Sequence, residues 1–188
     1  MIEDYVLNSS PLEVIYKHHS QPKDEDYACD VFKNINYSHL GRKKLSSYCL
    51  TILSIMYSSI QRYKKYQHVF IKIQDLKIGQ NTSGTGLWHL DSSMLPVDDY
   101  ENYIFTTGLY NTTEFFKTPI TIQYSKTAIG VHKQVESKYE SDRDSFILEP
   151  ITIYKYNGSN AHRGRKVEVP EKRILIRLSN TDRKLTSY

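Results

Sequence analysis

The stretch Glu171-Lys172-Arg173-Ile174-Leu175-Ile176-Arg177-Leu178-Ser179 alternates strictly. Ile174, Ile176 and Leu178 fall on one side, with Arg173, Leu175 and Arg177 on the other. A period of two is that of a β-strand with one face on a core. The second face is unusual, because it carries two arginines that would look into a barrel or sandwich. Buried guanidinium groups are almost always paired, so this face calls for an anionic partner.

Working outward, the same texture recurs in VFIKIQDLKI (69–78), NYIFTTGLY (102–110), PITIQYSKTAIGV (119–131) and PITIYKYN (150–157). Gly, Pro, Asn and Asp separate these runs, as they separate short strands. Upstream, residues 38–67 read as one long helix: Leu45, Ile52, Ile55, Met56 and Ile60 recur at steps of three and four. Its wide apolar stripe predicts packing on a sheet. The first 36 residues lack a clear period and are expected to wrap the core. The polar segment His132–Ser145 reads as a solvated loop, with a mobile lid over a barrel mouth as the functional alternative. The chain is therefore expected to be α+β and mostly β. It would form a single domain over 1–188, with helical support from 1–67 and a β core from 68–180. No strand–helix alternation, G-x-G-x-x-G, P-loop, G-x-S-x-G or internal repeat is present, which argues against a doubly wound nucleotide-binding fold.

Composition sets wider bounds. The 188 residues are 39% hydrophobic and 24% charged, the balance of a globular chain. The net charge of +4 admits anionic partners without demanding nucleic acid. Basic residues thicken from Arg163 to Lys184, either as a solvated face or as an anion-binding strip. Cys29 and Cys49 form no C-x-x-C, and the N-terminus lacks the pattern of a secretory signal. The most apolar run, YCLTILSIMYSSI, is too short and serine-rich to span a bilayer. A cytoplasmic, reduced protein with no membrane partner is expected.

The chemistry centres on GLWHLD (86–91). On a strand, His89 and Asp91 project together while Trp88 and Leu90 point the other way, Trp88 most simply into the core. An imidazole and a carboxylate on one face are two parts of the 2-His-1-carboxylate triad that holds non-heme Fe(II). His132 and His162 are candidates for the third part. His162 is preferred because it follows a Gly-Ser-Asn turn that would return it to the barrel. His18, His19, His39 and His68 read as surface or capping residues. Arg173 follows His162 by 173 − 162 = 11 residues. Its planar fork suits a carboxylate.

The order WHLD, then AHRG, then KRILIRLS resembles the Fe(II)/2-oxoglutarate-dependent dioxygenases, over about Val69 to Ser179. The resemblance implies a double-stranded β-helix, a jelly-roll or cupin-like core with the long helix packed on one sheet. It implies that His89, Asp91 and His162 ligate iron and that Arg173 pairs with the far carboxylate of 2-oxoglutarate. Arg177 would hold the near carboxylate or the substrate. A hydroxyl partner for the far carboxylate would be Tyr103 or Tyr124. The implied cosubstrates are 2-oxoglutarate and O₂, giving succinate, CO₂ and an oxidised C–H bond. Halogenating relatives lack the carboxylate ligand, so Asp91 points to hydroxylation, desaturation or demethylation.

Two further readings come from other classes. One is a cupin-like metal enzyme or binding module that does not use 2-oxoglutarate. The other is a non-catalytic nucleic-acid or protein interaction domain using the basic strip. A small-molecule, nucleotide or peptide substrate is compatible with the chain, and nothing in it reads out a base.

Overall fold

The computed structural model describes residues 4–8, 10–82, 86–91, 100–110, 112–125, 127–139 and 144–185. In chain order the elements are β1 (Asp4–Leu7), β2 (Glu13–Lys17), β3 (Phe32–Asn36), α1 (Ser47–Ser58), β4 (Tyr66–Leu76), β5 (Tyr100–Thr106), β6 (Thr113–Phe116), β7 (Ile120–Gln123), α2 (Ala128–Lys138), β8 (Ser145–Ile147), β9 (Thr152–Asn157), β10 (His162–Gly164) and β11 (Glu171–Thr181). The chain is mostly β, and its strand pairs are antiparallel.

A six-stranded sheet runs β2-β9-β5-β11-β4-β3, and a three-stranded sheet runs β10-β6-β8. A third pairing joins β1 to β7. The 86–91 segment adds to the three-stranded sheet through a bridge between His89 and His162. The register of β11 fixes what each face sees. Leu178 lies opposite Val69 and Tyr103, whereas Arg177 lies opposite Phe70 and Ile104. One face of the large sheet, with Val69, Ile71, Tyr103, Phe105, Ile153, Ile174, Ile176 and Leu178, packs against Cys49, Ile52, Leu53 and Met56 of α1. The other face carries the arginines and looks toward the small sheet.

Three expectations are corrected. The helix does not run from 38 to 67. The Ser46 hydroxyl accepts from Cys49 N, which starts α1 at Ser47. Upstream, Asn36 instead caps a separate 3-10 turn, Tyr37–Arg42. At the far end, the Ser58 and Ser59 hydroxyls both bond to Ile55 O. The Asn180 and Asp182 side chains then bind Lys64 N and Lys65 N, drawing the chain into β4. The N-terminal portion is also more than helical support, because β1, β2 and β3 pair with β7, β9 and β4.

The third correction concerns the run from 119 onward. Its strand ends at Gln123, and the segment read as a loop begins within α2, capped by the Thr127 hydroxyl on Gly130 N. Val131 and Val135, one turn apart, are the buried stripe of α2. The end of that segment, 140–143, lies outside the described residues. Among the described residues no helix is long and apolar enough to cross a membrane. Cys29 and Cys49 are both free.

Candidate functional site: two histidines and a carboxylate beside an arginine-floored cavity

Gly86 turns the chain into the 86–91 segment. Its φ is +66°, and a Cβ there would stand 2.7 Å from the Asn81 side chain. The segment then meets β10 through reciprocal bonds, His89 N to His162 O and His162 N to His89 O, both 2.9 Å. That bridge sets the two imidazoles side by side, with ring centroids 4.4 Å apart. Alternation returns Asp91 to the same side. His162 Nε2 lies 3.6 Å from Asp91 Oδ1.

Each histidine is oriented by a backbone carbonyl. His89 Nδ1 lies 2.9 Å from Leu87 O, and His162 Nδ1 lies 3.1 Å from Asn160 O. A carbonyl oxygen only accepts, so each Nδ1 carries the proton, and in the neutral ring Nε2 is then the nitrogen that can bind a metal. Burial pushes the His162 pKa down to about 4, against the opposing pull of Asp91, so its ring is neutral at neutral pH. The 3.6 Å spacing is too long for a hydrogen bond. Two donors each roughly 2.1 Å from one ion stand about 3 to 3.5 Å apart, close to this separation.

Asp91 is the anionic centre. Burial alone would raise its pKa, but Arg177, His162 and the Tyr156 hydroxyl outweigh it and hold the carboxyl well below the usual range. Arg177 Nη1 donates to Oδ1 and the Tyr156 hydroxyl donates to Oδ2. The Arg177 guanidinium also rests on the Phe70 ring at 5.5 Å. With the carboxylate turned this way, no group of three His, Cys, Asp or Glu side chains among the described residues forms a ready-made metal cage. The fit to an ion rests on the two oriented Nε2 atoms and on the further lone pairs of the Asp91 oxygens.

These groups line a cleft of about 630 Å³ between the sheets, a size that takes a small ligand. Arg173 forms part of its floor at 1% exposure, donating from Nη2 to Gln74 Oε1 and, at 3.3 Å, to Thr82 O. Burial lowers its pKa to about 10 despite the nearby Glu171, which leaves it charged at neutral pH. Gly108 sits against its stem; a Cβ there would meet Arg173 Cδ at 2.9 Å.

The expected residues thus divide. His89, Asp91, His162, Arg173 and Arg177 come together along one cleft, with Arg177 turned onto Asp91 itself. Tyr103 does not join them: it lies opposite Leu178, on the α1 face of the sheet, and donates to Ser59 O at 3.0 Å. Tyr124 stands beyond the end of β7, 44% exposed and outside the cleft lining. His132 lies on α2 with its ring 6.0 Å from that of His89, outside the same lining. Trp88 is fully buried in ring contact with Tyr139 at 5.2 Å, and the Arg163 guanidinium, itself paired with Glu114, rests against both rings. Part of the basic strip is therefore internal structure.

Two participants escaped the sequence reading. Tyr156 shares a strand face with Tyr154, a pairing visible in YKYN. Gln74 meets Arg173 only through the β4–β11 register, which no local pattern reveals. No family model, curated protein or solved structure matches the chain.

Proposed function

We propose that the chain is an Fe(II)- and 2-oxoglutarate-dependent dioxygenase that oxidises a C–H bond of its substrate, most simply by hydroxylation. The observation that carries this reading is the His89–His162 bridge. It joins two Nε2-free imidazoles to a buried carboxylate in a cleft floored by a buried arginine. Strand order adds support. Read inward from the ends of 66–181, β4 pairs with β11, the 86–91 segment with β10, β5 with β9 and β6 with β8. This nesting is what a long hairpin rolled on itself in the manner of a jelly roll would give, with β7 and α2 inserted between β6 and β8.

In this reading His89, Asp91 and His162 hold the metal, which supplies the coupling of O₂ to oxidative decarboxylation of 2-oxoglutarate. Arg173 binds the far carboxylate through its planar fork, in place of its contacts with Gln74 and Thr82. Arg177 and Tyr156 orient Asp91 and keep it ionised. The walls of Phe70, Ile104 and Leu175 limit water around the reacting groups.

Anaerobic addition of Fe(II) and 2-oxoglutarate should give a weak visible charge-transfer band. His89→Ala and His162→Ala should abolish it while His132→Ala retains it. Arg173→Ala should weaken 2-oxoglutarate at least about tenfold, consistent with loss of a charge-assisted bidentate contact. Folded protein that binds iron and cosubstrate without a band would refute the assignment.

A further inference from the structure

The charge lining the cleft is one-sided. Lys33, Lys72, Arg173, Arg177 and Arg183 line it, and Asp91 is the single carboxylate among the described lining residues. Arg177 is committed to Asp91, and Arg173 lies deep on the floor. Lys33, Lys72 and Arg183 stand on a rim formed by β3, β4 and the chain after β11, where Lys33 and Arg183 also make contacts of their own.

That rim is built rather than incidental. Between Phe32↔Ile71 and Ile35↔Val69, β3 advances three residues while β4 advances two. The extra residue makes a bulge holding Lys33 and Asn34, with Asn34 at φ 53°. Bulges re-aim side chains at sheet edges in this way. Buried His68 clips the bulge to the opposite lip. Its Nδ1 lies 3.3 Å from Asn34 O, and Leu185 N donates to its Nε2 at 3.1 Å. One neutral imidazole therefore ties the segment bearing Lys33 to the segment bearing Arg183. Lys72, one alternation before Gln74 on β4, is half-buried between them and the floor. Burial and the positive charge of Arg173 both lower its pKa, so an anion placed there relieves a standing repulsion.

We propose that the Lys33–Lys72–Arg183 rim binds a phosphate group of the substrate, which positions the attached carbon skeleton over His89, Asp91 and His162. Two ammonium groups and a guanidinium around one opening suit a dianion better than a single carboxylate. Phe70 and Leu185 offer the adjoining part of the molecule an apolar wall. The inference rests on the dioxygenase reading for the fate of the substrate, and on the lining charge for how it is held.

The test is equilibrium binding at low salt, by calorimetry, with AMP and adenosine as a matched pair. AMP should bind at least about tenfold more tightly than adenosine. Lys33→Gln/Arg183→Gln should lower AMP affinity by at least about tenfold, and Lys72→Gln serves as an independent single substitution; circular dichroism checks that each variant is folded. Equal binding of AMP and adenosine, or a folded double variant with unchanged AMP affinity, overturns the proposal. A short oligothymidylate separates the sources of phosphate: tighter binding than AMP assigns a nucleic-acid strand, and weaker or equal binding assigns a free phosphate ester. The Fe(II)–2-oxoglutarate band is recorded on the same wild-type sample. AMP binding without the band defeats the dioxygenase reading and leaves the phosphate site standing; the band without AMP binding does the reverse.

Discussion

At the residue scale, Asp91 concentrates the electrostatic risk of the molecule. Its side chain is 8% exposed, so its charge depends on Arg177 and Tyr156. Removing one partner of a buried pair leaves an uncompensated charge, which costs more than the pair itself contributes. Arg177→Ala is expected to destabilise the metal-free protein by about 3 to 5 kcal/mol, and Tyr156→Phe by about 1 to 3 kcal/mol. Urea unfolding measures both, and a loss below about 1 kcal/mol for Arg177→Ala would contradict this account. His162 adds a pH signature. Its folded pKa, about 4, lies below the value near 6.5 of an unfolded histidine. The unfolded chain therefore binds more protons between these values. The contribution of His162 is fully present above about pH 6.5 and is lost as pH falls toward 4. His162→Asn should flatten the stability–pH slope there by up to about 1.4 kcal/mol per pH unit. An unchanged slope in chelator-treated protein would rule out a neutral, buried ring.

At the element scale, the 86–91 segment depends on a single turn. An alanine at Gly86 meets left-handed strain, costing about 1 to 2 kcal/mol, and the Asn81 side chain as well. Gly79 has φ +84° with open space around it, so Gly79→Ala carries the strain alone. Gly86→Ala should therefore be the more destabilising of the two in urea, and it alone should weaken metal binding; equal behaviour of the two variants would show that the Asn81 contact does not hold the segment. The same scale explains what could be read in advance. The alternation of β11 displayed the arginine face because apolar and charged residues take turns there. On β5 each face carries aromatic or apolar residues, Tyr103 and Phe105 on one side and Tyr100 and Ile104 on the other, so nothing local excluded Tyr103. For the helix, Leu45 and Ile60 continued its apolar rhythm past its capped ends. α2 was obscured because its first turn, with Ala128, Ile129 and Val131, continued the apolar run of the preceding strand, and only Val135 followed in a polar stretch.

At the scale of the whole molecule, the β-rich texture was legible, whereas the N-terminal strands and the partition into sheets were not. Pairing is a long-range property: β2 finds β9 and β3 finds β4 through a register no short window contains. The cleft inherits this dependence. Its floor comes from β4 and β11, its metal-binding candidates from 86–91 and β10, and its basic rim from β3 and the chain after β11. The central position of β11 has a kinetic consequence. Ile71 and Ile176 are register partners although 176 − 71 = 105 residues separate them, and β11 stands between β4 and β5, so those strands stay unjoined until it inserts. Closing so long a loop costs entropy before the contacts repay it, which places the chain among slow folders of high contact order. Until that insertion the exposed edges of β4 and β5 are open templates for other chains. Aggregation during refolding should therefore compete with completion of the very strand that brings Arg173 and Arg177.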